Sequence, residues 1–401
     1  MGAPSARVHE LSREWARAGH DVTVLTGFAH HPTGRKAPRD RGVLFRKESA
    51  DGIRVLRSYV YAAPNRGTAR RMVSYASFLV SALAFGRRAP RPDVVIGTSP
   101  QLLSAAAAAR LARSFGAPFV FEVRDLWPES ILAVEAMREN LVVRGLRALA
   151  RRLYDRSDRI VTVGEGYRRG IHERYGTPLE KMDVVPNGID RGLFRPAEGD
   201  PALRAELGWE GSFVVLYMGT LGMAHGLGTA LEAAGLLRDE PRILLAFVGE
   251  GAEKDALKAR ASDMGLSNVR FIDAQPKDRV PRFYAASDAG LVTLRPTPLF
   301  QEVLPSKIFE SLAMERPVLL GVGGEARRLV EEAGAGEHVL PGDPAALAAA
   351  IRRWAAAPER LREMGSRGRA FVLERFDRRA LAARYLEILE GVVRRGPARG
   401  P

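Results

Sequence analysis

The 401-residue chain contains no cysteine. That excludes a disulfide framework and any thiolate metal site, and nothing in the residues points to an oxidising compartment. A cytoplasmic location is the default expectation. Long apolar runs are also missing. The opening Met1-Gly2-Ala3-Pro4-Ser5-Ala6-Arg7 has no apolar core of the signal-peptide kind, and no later run reaches membrane-spanning length, so an integral membrane protein is not expected. Lysine is scarce: it supplies seven of the 61 basic residues, and arginine carries almost all of a net charge of +14. A basic surface favours anionic partners, whether nucleic acid, phospholipid or phosphorylated substrates. No helix-turn-helix, zinc-finger or aromatic RNA-platform pattern appears, so nucleic acid is not an expected partner and an anionic membrane is the better candidate. With 46% hydrophobic and 27% charged residues, the chain is ordinary globular material, long enough for two domains with separate cores.

One segment bears on the membrane. Residues 72–86 are apolar and lie between Arg70-Arg71 and Arg87-Arg88. The stretch is too short to span a bilayer comfortably. A helix there either lies in the headgroup region, gaining burial on one face and charge attraction at its ends, or packs on its own domain's sheet.

Strand-like and helical runs alternate along the chain. Strands are predicted over 21–27, 53–61, 93–99, 118–125, 159–164 and 182–186, and again over 213–219, 243–249, 269–273, 290–294, 318–322 and 338–340. Continuous apolar strands separated by amphipathic helices predict parallel sheets covered on both faces, hence two doubly wound α/β domains in series facing across a cleft. Their expected extents are 1–195 and 196–377, with the join in the turn-forming stretch 187–196 and a last helix, 378–394, crossing back onto the first domain. No strand precedes Gly2-Ala3-Pro4, which reads as a loop feeding a helix over 5–17. In a doubly wound sheet the strand before the first glycine-containing loop is normally central. The first domain thus lacks its expected first strand. Either the natural protein begins roughly 10 to 20 residues upstream, enough for one strand and its turn, or the sheet edge is rearranged.

The most informative stretch is Glu302-Val303-Leu304-Pro305-Ser306-Lys307-Ile308-Phe309-Glu310. Pro305 suits a first helical turn, which leaves Glu302 on the preceding loop and Glu310 in the helix body. One ligand can then meet a loop carboxylate, a helix N-terminus, a lysine and a helix carboxylate. The N-terminus and Lys307 attract a phosphate, and a carboxylate one turn on accepts hydrogen bonds from sugar hydroxyls. The pattern reads as a nucleotide-sugar pocket. The plain alternative is two solvated carboxylates flanking an ordinary helix.

This stretch, with Gly2-Ala3-Pro4-Ser5-Ala6-Arg7, Arg124-Asp125-Leu126-Trp127-Pro128-Glu129-Ser130, Pro186-Asn187-Gly188-Ile189-Asp190 with Phe194, Tyr217-Met218-Gly219-Thr220-Leu221-Gly222 and Val248-Gly249-Glu250-Gly251, resembles glycosyltransferase family 4 of GT-B architecture, particularly its bacterial O-antigen, colanic-acid and capsule branch. The resemblance runs over nearly the whole chain. It implies two Rossmann-like domains, retention of anomeric configuration, no catalytic metal ion and no cofactor, the nucleotide-sugar being a substrate. It further implies that Glu302 lies beside the transferred sugar, that Glu310 holds the ribose, and that Lys307 with backbone amides near Gly219 and Gly2 neutralises the diphosphate. Ser306 falls within that same motif, at the helix opening. Glu250, Gly251 and the turn Asp273-Ala274-Gln275-Pro276 would shape base and phosphate walls. Asp125 or Glu129 would face the acceptor.

The chain also departs from that pattern. Thr220 and His225 stand where many members carry an arginine and a lysine, which puts more weight on Lys307. His225 either donates to phosphate or is an exposed loop histidine. His30 and His31 either touch an acceptor or form a surface turn, and Trp127 either stacks on a sugar or anchors its loop. The resulting expectation is a retaining hexosyl- or N-acetylhexosaminyl-transferase, peripheral on the inner face of the cytoplasmic membrane. It would move a sugar from a nucleotide donor, UDP-linked in the first instance, to a lipid-diphosphate-linked saccharide in surface polysaccharide assembly. The rivals are a UDP-sugar epimerase of the same architecture, which needs acid/base groups on both faces of one sugar, and a non-catalytic nucleotide-sugar-binding partner.

Overall fold

The computed structural model describes residues 3–29, 34–62, 68–135, 137–196 and 199–397. Contacts divide the chain into two units, one of 2–132, 137–185 and 379–401, the other chiefly of 186–378.

The first unit contains α1 (Ala3–Arg17), β1 (Thr23–Gly27), β2 (Phe45–Ala50), β3 (Ile53–Ser58), α2 (Thr68–Gly86), β4 (Val95–Thr98), α3 (Leu102–Phe115), β5 (Phe119–Val123), α4 (Glu129–Ala133), α5 (Leu141–Arg156), β6 (Arg159–Thr162), α6 (Glu165–Tyr175) and β7 (Met182–Val184). Every residue of β5 is buried, as expected of a parallel strand covered on both faces. Where the chain must stop a helix and start a strand, the chemistry is local: α3 ends on Gly116 with φ 66°, and α5 begins at Asn140, whose side chain accepts the Val143 N–H.

The strands form two sheets, β1-β3-β2 and β4-β5-β6-β7. All their pairings are parallel except β2 with β3. That antiparallel strand corrects the expectation of purely parallel sheets. Its sequence, FRKESA, is charged and largely exposed, so no apolar run announced it. The Asp51-Gly52 pair joining it to β3 has φ of 52° and 79°, the left-handed pair that a two-residue hairpin requires.

The second unit contains α7 (Pro201–Leu207), β8 (Phe213–Met218), α8 (Gly228–Leu236), β9 (Ile243–Val248), α9 (Lys254–Asp263), β10 (Val269–Ile272), α10 (Val280–Ala285), β11 (Ala289–Thr293), α11 (Lys307–Ala313), β12 (Val318–Gly321), α12 (Gly324–Glu332), β13 (Gly336–His338), α13 (Pro344–Ala355) and α14 (Pro358–Arg375). α15 (Arg378–Arg395) follows, and from Arg379 it packs with the first unit: the Trp15 indole N–H of α1 donates to the Ala382 carbonyl at 2.9 Å.

One fully parallel sheet runs through the second unit in the order β10-β9-β8-β11-β12-β13. The first strand of this sheet in sequence, β8, is flanked by the second and the fourth, so strand order reverses there. Ligands of open α/β sheets bind beyond the carboxyl ends of the strands at such a switch point. No described helix is long and apolar enough to cross a membrane.

Candidate active site

Everything that follows β8 is held close to its carboxyl end. Gly219 has φ +138°, a conformation that favours glycine, and its N–H donates to the Val248 carbonyl at 2.9 Å. The loop after β9 lies directly against it: a Cβ on Gly249 would sit 1.8 Å from the Gly219 carbonyl oxygen, and one on Gly251 would sit 2.1 Å from that of Leu221. Only glycine permits these backbones to touch. The Tyr217 hydroxyl donates to the Thr220 carbonyl at 2.6 Å, pinning the turn, and Thr220 itself is exposed. Across the switch point, the Thr293 hydroxyl at the end of β11 donates to the His225 carbonyl at 2.7 Å.

The chain then turns through a short 3-10 helix, Pro298–Glu302, and enters α11 at Ser306. Two details differ from the sequence reading. Pro305 precedes the cap rather than occupying the first turn, because Ser306 is the capping residue, and Glu302 closes a helical turn instead of standing on open loop. The turn is braced from beneath, since a Cβ on Gly324 would lie 1.8 Å from the Gln301 carbonyl oxygen.

Lys307 reaches back to the β8 loop. A Cβ on Gly219 would meet its Cε at 2.7 Å and its Nζ at 3.1 Å, and the ammonium lies 5.0 Å from the Tyr217 ring centre. His225 packs against the same ring, 5.8 Å between centroids. Burial lowers the Lys307 pKa to about 8, with Glu310 opposing. Burial also depresses His225 well below its ordinary value, and Lys307 adds to the shift. His225 is therefore half-buried and neutral, not an exposed loop histidine. Glu310 is raised by burial against the pull of Lys307, Lys277 and Arg378, with the Tyr284 hydroxyl 3.5 Å from its Oε2.

Lys277 and Arg378 were not singled out from sequence. Lys277 follows the 273–276 turn by one residue, and burial with Arg378 nearby lowers it to about 8. Its one advance signal was that lysine is rare in this chain.

Glu250 is less available than expected. Lys254 Nζ bridges Glu250 Oε1 and Asp273 Oδ1, both at 2.5 Å, so this carboxylate is engaged inside its own loop. Gly251 serves close packing, and Ala274 is exposed at the carboxyl end of β10.

In the first unit, Asp125 follows β5. Burial raises its pKa to about 6, opposed by the Ser130 hydroxyl at 2.9 Å and the Leu126 N–H. Glu129 Oε1 accepts from Arg147 Nε at 3.1 Å and from the Tyr175 hydroxyl at 2.9 Å. Glu129 is tied up in an ion pair with Arg147, whereas Asp125 has no cationic partner among the described residues and is raised by burial, so Asp125 is the better candidate of the pair. Trp127, 8% exposed, is an anchor for the loop rather than a sugar platform. Gly2, His30 and His31 lie outside the described residues.

Residues 2–188 match the glycosyl transferase 4-like domain, and residues 200–371 match the glycosyl transferases group 1. The chain is 29% identical over 292 residues to a probable glycosyltransferase WbjE of Pseudomonas aeruginosa, covering 72% of each. It is likewise 29% identical over 310 residues to the putative colanic acid biosynthesis glycosyl transferase WcaI of Escherichia coli K12, covering 75% of each. Among solved structures it superposes on Anabaena HepE in complex with UDP-glucose with a TM-score of 0.73 and 18% identity, over 98% of this chain and 97% of that one. These matches span both doubly wound units: the chain belongs to the group 1 glycosyltransferases, with a 4-like first domain and the GT-B fold.

Proposed function

We propose that the protein transfers a sugar from a UDP-sugar, with retention, to a lipid-diphosphate-linked saccharide in surface polysaccharide assembly. The observation that carries the donor half is the Lys307 ammonium seated on Gly219 at the switch point, with Glu310 one turn behind it. A leaving diphosphate gains negative charge as the glycosyl bond breaks, and the sugar gains positive charge. Lys307 answers the first, Glu302 the second, and Glu310 accepts hydrogen bonds from the ribose hydroxyls. His225, neutral, can donate one hydrogen bond to a phosphate oxygen without adding charge. With a lysine to neutralise the diphosphate, this reading calls for no metal ion. The name of HepE, solved with UDP-glucose, supports the choice of nucleotide.

The acceptor half rests on the first unit. Asp125, titrating near 6, is ionised at neutral pH and suited to accept a hydroxyl proton. On α2, Val73 and Val80 are 54% and 67% exposed, and Arg70, Arg71, Arg87 and Arg88 are exposed at its two ends. An apolar stripe with basic ends supports peripheral attachment to the inner, anionic face of the cytoplasmic membrane, where a lipid-linked acceptor is presented. The WcaI name supports polysaccharide assembly as the setting.

Calorimetric titration of UDP, GDP and NAD tests the donor half. Micromolar UDP binding, weakened about 10- to 100-fold by Lys307→Ala, is expected from loss of a charge-assisted contact. Equal binding of all three, or none, would overturn it.

A further inference from the structure

The loops at the carboxyl ends of β8, β9 and β10 are tied in series. Leu221 N–H donates to the Glu250 carbonyl at 2.9 Å, and Glu253 N–H donates back to the Leu221 carbonyl at 3.0 Å, so the loop after β9 is fixed on the loop after β8. Between β9 and β10 the last backbone rung is Gly249 N–H on the Ile272 carbonyl at 2.9 Å. Past that rung the tie is a side chain. Lys254, the first residue of α9, sends its ammonium to Glu250 Oε1 and to Asp273 Oδ1, both at 2.5 Å.

Only 7% of the Lys254 side chain is exposed, against 45% for Glu250 and 83% for Asp273. Burying an ammonium is costly unless carboxylates answer it, and here the two that answer come from the two loops it joins. Such a charge holds one geometry, because withdrawing either partner leaves it under-compensated. With the cation removed, two carboxylates would face each other and push the loops apart.

The loops so joined lie at opposite ends of the donor's nucleotide half. The Lys307 ammonium lies against Gly219, after β8. Glu310, one turn behind it, faces the β10 side: the Tyr284 hydroxyl of α10 is 3.5 Å from its Oε2, and Lys277, one residue past the 273–276 turn, lies near enough to act on its charge. Glu302 lies toward the other side, where the neighbouring Gln301 packs on Gly323 and Gly324 beyond β12. A donor with its diphosphate at Lys307 and its ribose at Glu310, the reading proposed above on which this step rests, therefore runs its base toward the turn 273–276, where Ala274 is exposed.

We propose that Lys254 is a positioning residue for the donor: it sets the distance between the diphosphate seat after β8 and the base wall after β10, so that the site binds base and diphosphate as one unit. Its ammonium is engaged by the two carboxylates, and it acts through them and the turn rather than on the nucleotide.

Calorimetric titration of the full chain with UDP, GDP and inorganic pyrophosphate, the last a probe with no base, tests this. Lys254→Met keeps an unbranched side chain and removes the charge. It is expected to weaken UDP binding about tenfold or more, to narrow the preference for UDP over GDP, and to leave pyrophosphate within about twofold of wild type. Lys254→Arg should recover most of the UDP affinity. Asp273→Ala alters a largely exposed side chain and should show the same selective loss, which keeps the test decisive if the methionine variant is unstable. Equal losses for UDP and pyrophosphate, or no loss for UDP, would overturn the role of Lys254. A wild type that binds neither UDP nor GDP would instead remove the donor reading, and this proposal with it.

Discussion

Lys307 and Gly219 come together so closely that any Cβ at position 219 would lie 2.7 Å from the lysine Cε. The lysine is 88 positions further along the chain, and α11 together with the turn ahead of it delivers its ammonium to the end of β8. Gly219→Ala should therefore act twice. The flexible lysine is displaced, and a φ of +138° costs a side-chain-bearing residue about 1–3 kcal/mol. We expect UDP affinity to fall at least tenfold with a lowered Tm, read by calorimetry and thermal denaturation.

The pH dependence of donor binding follows from Lys307 and Lys277, both lowered to about 8. A bound diphosphate favours their charged forms, so binding takes up protons, is strongest below pH 8 and weakens as pH rises through 8. Affinity for UDP measured between pH 7 and 9.5 should drop with pH. Lys307→Arg, which stays charged, should flatten the profile in part, and the double variant with Lys277→Arg should flatten it further. A steep profile surviving in the double variant would refute the assignment.

The two carboxylates of the 302–310 stretch should separate kinetically. Glu302→Gln is expected to lower kcat by about two orders of magnitude with little change in UDP affinity, since it meets charge that develops only in the transition state. Glu310→Gln should chiefly raise the Kd for UDP, because a ribose contact is made in ground and transition states alike.

Asp125 and Glu129 should also part. The Asp125 carboxyl titrates near 6 rather than at its ordinary 3.8, so its contribution to stability is present below 3.8 and lost as pH rises through 6. At pH 7.5 the buried charge is a cost, and Asp125→Asn should raise Tm by roughly 2 °C or more while reducing kcat about 100-fold. In the wild type, kcat/KM should fall as pH drops below 6. Glu129→Gln loses its ion pair with Arg147 and should lower Tm slightly while sparing turnover.

Membrane attachment is checked by vesicle sedimentation. Val73→Asp with Val80→Asp places charge on exposed positions of α2, and should abolish binding to anionic vesicles without changing Tm. Retained binding would remove α2 from that role.

The alternation of apolar strands and helices was legible because parallel strands buried on both faces must be apolar throughout, and all twelve expected strands lie within a residue or two of observed ones or overlap them. The charged β2 escaped, since an edge strand needs no such pattern; only its Asp51-Gly52 turn was written locally. The helix that opens at Ser306 and Lys307 was likewise legible in adjacent residues. Long-range placement could not be read that way. That Glu250 is bound by Lys254, that Glu129 is held by Arg147 and Tyr175, that His225 is half-buried beside Tyr217, and that Lys277 and Arg378 act on Glu310 all depend on which loops meet at the ends of the sheets. Residue type and spacing set the chemistry on offer along the chain. Burial and the partners supplied from distant segments decide which of those groups is charged, neutral or already engaged.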